Sequence, residues 1–159
     1  MAKRYSKLEK DIEKLFVPEL KLKVRCFAFD IGNYGTKFPR YYIQQNHEII
    51  WDFPKYYVEL PLCMYLVSDD VKFNQLMRNY INTGIDNLLD FKPEQNEVQA
   101  EGKEHWAVSL RVTNNAHTDF VEILKSADRR IGKQKLSEYF KNTEIKTVKT
   151  ILQKRGIEI

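Results

Sequence analysis

Between Ser6 and Ala28 the spacing of the apolar residues changes from a helical repeat to a repeat of two, and no other feature constrains the fold as much. Leu8, Ile12, Leu15 and Phe16 fall at i, i+4, i+7 and i+8, one face of a helix, with Lys7, Lys10, Asp11 and Lys14 elsewhere. Ser6-Lys7-Leu8-Glu9 has the spacing of a capping box, so a helix starts at Ser6, and Pro18 stops it. From Leu20 the pattern alternates. Leu20, Leu22, Val24, Cys26 and Ala28 interleave with Lys21, Lys23, Arg25, Phe27 and Phe29, which predicts a strand with one buried face. A chain with both repeats packs helices on a sheet.

The turn residues Gly32-Asn33-Tyr34-Gly35 come next, then two β-rich runs, Arg40 to Gln45 and Glu48 to Phe53, around Asn46-His47. A three-strand antiparallel meander is the simplest assembly, although His is a poor substitute for Gly in a tight turn. With a two-residue loop, Tyr42 faces Trp51 and Ile43 faces Ile50. One side then carries Tyr42, Ile49, Trp51 and Phe53, the other Tyr41, Ile43 and Ile50. Residues 54–67 mix Pro54 and Pro61 with Tyr56, Tyr57, Val58 and Tyr65 and fit no one element.

Ser68 can cap a helix holding Phe73, Leu76, Met77, Tyr80 and Ile81, which Gly84 ends before a short second helix at Ile85, Leu88 and Leu89. Trp106, Val108, Leu110 and Val112 alternate with His105, Ala107, Ser109 and Arg111, the cleanest strand pattern in the chain, paired in a hairpin with Val98 to Ala100. From Thr118 the helical repeat returns with Phe120, Leu124, Ala127 and Ile131, and Gly132 ends it. A short helix around Leu136, Tyr139 and Phe140 follows. Thr143 or Asn142 then caps a last helix holding Ile145, Val148, Ile151 and Leu152, with Gly156 as its stop. The expectation is a single α+β domain over residues 1–159: an N-terminal helix, a mainly antiparallel sheet, and helices packed at the C-terminal side.

Charge is unevenly placed. The net +4 resolves into +3 over residues 1–30, zero over 31–67, −4 over 68–104 and +5 over 105–159, and Lys125 to Arg155 holds ten basic against three acidic residues. No apolar run approaches the ~20 residues of a membrane span. Charged residues stand where a signal peptide needs an apolar stretch, so the cytoplasm is expected. Cys26 and Cys63 are too few for a disulfide framework and read as small buried apolar residues.

Ser6-Lys7-Leu8 with Leu20-Lys21, Asn79-Tyr80-Ile81-Asn82-Thr83, and Asp128-Arg129-Arg130-Ile131-Gly132-Lys133 with Leu136 resemble segments of a group of small uncharacterised bacterial proteins. That group opens with a Ser-Lys-Leu helix and carries an Asp-Arg-Arg-x-Gly-Lys segment. The resemblance covers about half the chain in patches and implies a small bacterial intracellular domain, with Pro93 to Val112 standing apart as an insertion.

The histidines and cysteines show no metal-ligand spacing, and no glycine loop, nucleophile elbow or triad motif occurs, so no catalytic, cofactor or metal residue is assigned. Two surfaces are candidates for contact with a partner. Arg129, Arg130, Lys133, Lys146 and Lys149 form a basic surface on the C-terminal helices, suited to phosphates if the last two helices make a helix-turn-helix. Tyr42, Trp51 and Phe53 form an aromatic face on the hairpin, suited to a protein partner or else buried as core. The expected function is a non-enzymatic cytoplasmic binding module recognising a protein partner, with nucleic-acid binding through the basic helices as the alternative.

Overall fold

The computed structural model describes residues 5–30, 37–53, 70–95 and 104–159, with side chains at 5–26, 41–53, 74–95 and 115–159. Expectations for residues 54–67, Cys63, Ser68 and Val98 to Ala100 lie outside the described residues. The elements are α1 (Ser6–Glu13), β1 (Leu22–Asp30), β2 (Lys37–Gln45), β3 (Glu48–Asp52), α2 (Asp70–Asn82), α3 (Glu104–Ala127), α4 (Lys133–Tyr139) and α5 (Lys146–Lys154). Single 3-10 turns sit at Pro18–Leu20 and Ile85–Asn87. The architecture is α+β, with a three-stranded antiparallel sheet in the order β1-β2-β3.

The first helix begins at Ser6, but no side chain caps it. Glu9, the expected capping-box partner, is buried and turned to the sheet, where its Oε1 accepts the backbone N–H of Cys26 at 2.8 Å. One turn on, Glu13 Oε1 accepts the N–H of Val24 at 3.3 Å and the Arg25 guanidinium at 3.0 Å. Carboxylates at i and i+4 thus satisfy successive outward amides of the edge strand β1, an energetic demand that outweighs a cap available from water. Leu8 and Ile12 bury beside them, while α2 packs on α1 and on β2.

Asn46 and His47 form the two-residue turn, with φ of 51° and 73°, the left-handed pair that a tight hairpin requires. The register beyond it corrects the expected one. A bulge lets Gln44 pair with Ile49 and Ile43 pair with Trp51, so Ile50 drops out of the ladder and Tyr42 pairs with Asp52 rather than Trp51. The shift turns the strand over: Leu22, Val24, Cys26, Tyr41, Ile43, Trp51 and Phe53 share the buried face.

The largest correction concerns residues 104–127, which form one helix instead of a strand, a turn and a shorter helix. Trp106 and Leu110 lie four apart, so the same residues fit both repeats. The second half, with Ala116, Phe120, Val121, Ile123, Leu124 and Ala127 all buried, has a strong helical repeat. Extending an existing helix adds one hydrogen bond per residue without a new nucleus, which overrides the β preference of Val and Trp. His117, expected before a helix, therefore lies inside one, and Glu104 to Val112, from the stretch taken as an insertion, belong to the same helix. Phe120 fills the centre of the core, meeting Tyr41 edge-on at 4.6 Å and lying over Trp51 at 5.7 Å.

Past Ala127 the chain pairs with the strand-like exit of α1: Val17 N–H donates to Ala127 O at 3.0 Å and Arg129 N–H to Leu15 O at 2.7 Å. Gly132, expected to end α3, instead precedes α4 in extended conformation. Helix α5 packs on α3, its Thr147 hydroxyl donating to Ile50 O at the β3 edge, and Gly156 stops it with φ of 77°. One apolar cluster runs through the described residues from Tyr5 to Ile157.

Replacing Glu9 by Ala strands the buried Cys26 amide, and urea titration is expected to show a loss of about 2 kcal/mol, with Glu9→Gln losing less because it keeps an acceptor. Equal midpoints for Glu9→Ala and the parent would show that the edge amides need no carboxylate.

Candidate functional site

Within the basic C-terminal block Arg130 and Arg155 face inward, while Arg129 and the lysines from Lys133 onward are exposed. Asp128, directly after α3, is fully buried. Its carboxylate accepts the Tyr80 hydroxyl at 2.8 Å and the Arg130 guanidinium at 2.8 and 3.0 Å, and it also accepts Arg130 N–H at 2.9 Å. Arg130 continues to Thr83 O at 3.1 Å and lies 5.8 Å from the centre of the Tyr80 ring. Arg155, at the end of α5, donates to Ser126 O at 2.8 Å and to Asp128 O and Ile131 O at 3.2 Å, which satisfies carbonyls that the end of α3 leaves open. Burial and then the Asp128 charge push the Tyr80 phenol well above its ordinary range, so it stays a donor.

Of the five candidate basic residues, Arg130 is therefore an internal tie. Arg129 is exposed but donates through Nε to Lys14 O at 2.8 Å. Lys133, Lys146 and Lys149 are exposed, as are Lys135, Lys141 and Lys154 on the same two helices and their flanks. The Lys154 ammonium also meets Gln45, whose amide donates to Leu20 O.

The bulge separates the three candidate aromatics. Trp51 and Phe53 are buried beneath α3, with Phe53 stacked on Tyr41 at 4.9 Å. Tyr42 is half-buried on the opposite face of the sheet. The three do not share a surface, and the aromatic-rich hairpin supplies core. Cys26 is buried with its sulfur 3.9 Å from that of Met77, and burial, then Glu9, pushes its thiol well above the ordinary range, which leaves it unreactive.

A cluster that sequence reasoning missed joins α3 to α4. Lys125 has a side chain with 0% exposure, and its ammonium donates to Leu89 O and to the Tyr139 hydroxyl, both at 3.0 Å. Lys92 donates to the same hydroxyl at 2.8 Å, and Tyr139 donates to Glu122 Oε1 at 2.9 Å. Glu122 lies 3.7 Å from Lys125 and 3.5 Å from Lys92. Desolvation lowers the Lys125 pKa from 10.5 to about 8, opposed by Glu122 and reinforced by Lys92. Burial likewise raises the Tyr139 phenol. The sequence held a partial signal, since Lys125 follows Leu124 directly and lies four residues after Val121; in the structure every residue from Ile123 to Asp128 is buried.

Beside Lys92 lies a cleft of about 230 Å³ between α2, the segment Phe91 to Glu94, and α3. Gln75 and Asn79 supply amides, Leu76, Phe91 and Pro93 supply apolar surface, and His117 lies at one wall. Burial pushes the His117 pKa down to about 4, so the ring is neutral at physiological pH. Among the described residues no three metal-ligating side chains gather, and no helix is long and apolar enough to cross a membrane.

Residues 4–155 match the model of the SF0329 protein family. No curated protein and no solved structure matches the chain.

Two expectations follow. Asp128→Ala removes the acceptor from a buried guanidinium and a buried phenol, and is expected to lower stability by about 3–5 kcal/mol in denaturant titration, against under ~0.5 for Lys149→Ala at the surface. For Lys125 the unfolded chain binds more protons than the folded one between about pH 8 and its ordinary 10.5, so its contribution to stability rises with pH across that window. The raised tyrosines act oppositely above pH 10. Thermal unfolding of the parent from pH 7.5 to 10 should therefore gain relative to Lys125→Met, and parallel curves would refute the shift.

Proposed function

The chain belongs to the SF0329 protein family, and we propose that it is a non-enzymatic binding module whose lysine-bearing surface on α4 and α5 recognises an acidic protein partner. The observation that carries this reading is the division of the basic block. Arg130 and Arg155 are committed to a buried carboxylate and to backbone carbonyls, while Lys133, Lys146 and Lys149 stand in solvent with Lys135, Lys141 and Lys154 around them. Ammonium groups are mobile point charges that match carboxylates without a fixed geometry. Base edges, in contrast, are read by rigid bidentate forks; Arg130 and Arg155 are committed within the fold, and the exposed Arg129 donates through its Nε to Lys14 O.

Of the aromatic hairpin, the other candidate for contact, Trp51 and Phe53 are used up as core and Tyr42 stands apart on the opposite face, which favours the charged helices as the place for a partner. The buried free thiol of Cys26 accords with a reducing compartment, and we place the protein in the bacterial cytoplasm.

The test is a titration of the full chain with polyglutamate and with short DNA and RNA at ~50 and ~200 mM salt. Polyglutamate is expected to bind at the lower salt, and Lys146→Glu combined with Lys149→Glu to weaken it about tenfold without changing the unfolding midpoint by more than ~0.5 kcal/mol. Tighter binding to the nucleic acids, with a steep log-log salt slope, would transfer the surface to phosphate recognition. Absence of binding to all three would remove it as an interface.

A further inference from the structure

The cluster beneath the cleft has an unusual charge stoichiometry. The other described ion pairs, Arg130 with Asp128, Arg25 with Glu13 and Lys14 with Asp11, each match one cation to one carboxylate. Here two ammonium groups, Lys92 and Lys125, share the single carboxylate of Glu122 and converge on one phenol oxygen. One positive charge is left without a described counterpart in a place where Lys125 and Glu122 are largely withdrawn from water. Repulsion between the two ammoniums is part of what holds the Lys125 proton loosely.

Lys92 is the open end of this arrangement. Its side chain is 60% exposed and also lines the cleft. The ammonium has three donors, of which Tyr139 takes one and Glu122 another at longer range. We propose that the cleft binds a small organic anion, a single carboxylate on a flat apolar body, with the carboxylate on Lys92 and the body over Phe91, Leu76 and Pro93.

The remaining cleft residues fit that class of ligand. Gln75 and Asn79 are exposed amides that can bond a polar substituent without adding charge, and His117 contributes a neutral ring. Exposed Glu94 is the one carboxylate among the described lining residues, which disfavours a second negative charge on the ligand. A volume of about 230 Å³ is below the range that holds drug-sized molecules and suits a single ring. The site is separate from the lysine surface of α4 and α5, so it stands or falls independently of the protein-partner reading.

The probes are benzoate, its uncharged counterpart benzamide, and inorganic phosphate, each titrated into the full chain and followed by calorimetry and by chemical-shift changes in the amide spectrum. Benzoate is expected to bind with a Kd of about 1 mM, appropriate to so few atoms, and benzamide about tenfold more weakly. Shifts should centre on residues 75–79 and 91–94. Lys92→Met should weaken benzoate about tenfold. Glu122→Gln, which removes the resident competitor for the ammoniums, should tighten it several-fold, a gain that a damaged fold does not produce. Equal binding of benzoate and benzamide, phosphate binding as well as benzoate, an unchanged affinity in both variants, or no shifts at ~20 mM benzoate would each overturn the proposal.

Discussion

The buried carboxylate of Asp128 is the interaction on which the rest of the structure depends. An ionised group with no access to water persists only if every lone pair is engaged, and here a phenol from α2, a guanidinium two residues on, and a backbone amide supply the donors. Satisfying it fixes three things at once: where α3 stops, how close α2 approaches, and how the chain turns into α4. The backbone around it is then available to pair with Leu15 and Val17, which locks the exit of α1 to the end of α3. Arg155 closes the same junction from α5 by taking three carbonyls. The Asp128-Arg129-Arg130 segment that stands out in the sequence is accordingly a joint between five helices, and its prominence comes from folding before it comes from any partner.

Much of the fold was legible because the signals were local. The alternation through Leu22, Val24 and Cys26 predicts β1, the φ-positive turn at Asn46-His47 and its hairpin follow from loop length, and α5 ends at the glycine expected of it. Where reading failed, a nonlocal demand decided. Trp106 to Val112 alternates as a strand does, yet continuity with a helix already paid for by the burial of Phe120 and Leu124 carries those residues along. Glu9 has the spacing of a cap, but an unsatisfied amide of a strand seventeen residues away claims it. One extra residue, Ile50, reverses which aromatics face inward, and no single-strand periodicity reports a bulge.

The candidate sites divide on the same ground. That Lys146 and Lys149 lie outward follows from the stripe of Val148, Ile151 and Leu152 opposite them, and was readable from the helix repeat. That Arg130 lies inward depends on Asp128 and Tyr80, forty-eight residues apart in the chain. The convergence of Lys92, Glu122, Lys125 and Tyr139 likewise needs three separate elements to meet, and only the place of Lys125 beside Leu124 and four residues after Val121 hinted at it. Charge in this protein is sorted by geometry: the forks of Arg130 and Arg155 hold the helices together, Lys125 is the buried exception among the ammoniums, and Lys133, Lys146 and Lys149 are left to the surface.

The two glutamates of α1 have a consequence for growth of the sheet. A bare edge strand presents unused amides to any other extended chain, and recruitment of a strand there is the first step of runaway stacking. By occupying the amides of Val24 and Cys26 with carboxylates, and by laying the helix itself along β1, the N-terminal segment removes the template. The first helix thus acts as a terminator of the sheet: as long as it is seated, polymerisation through that edge has no place to begin.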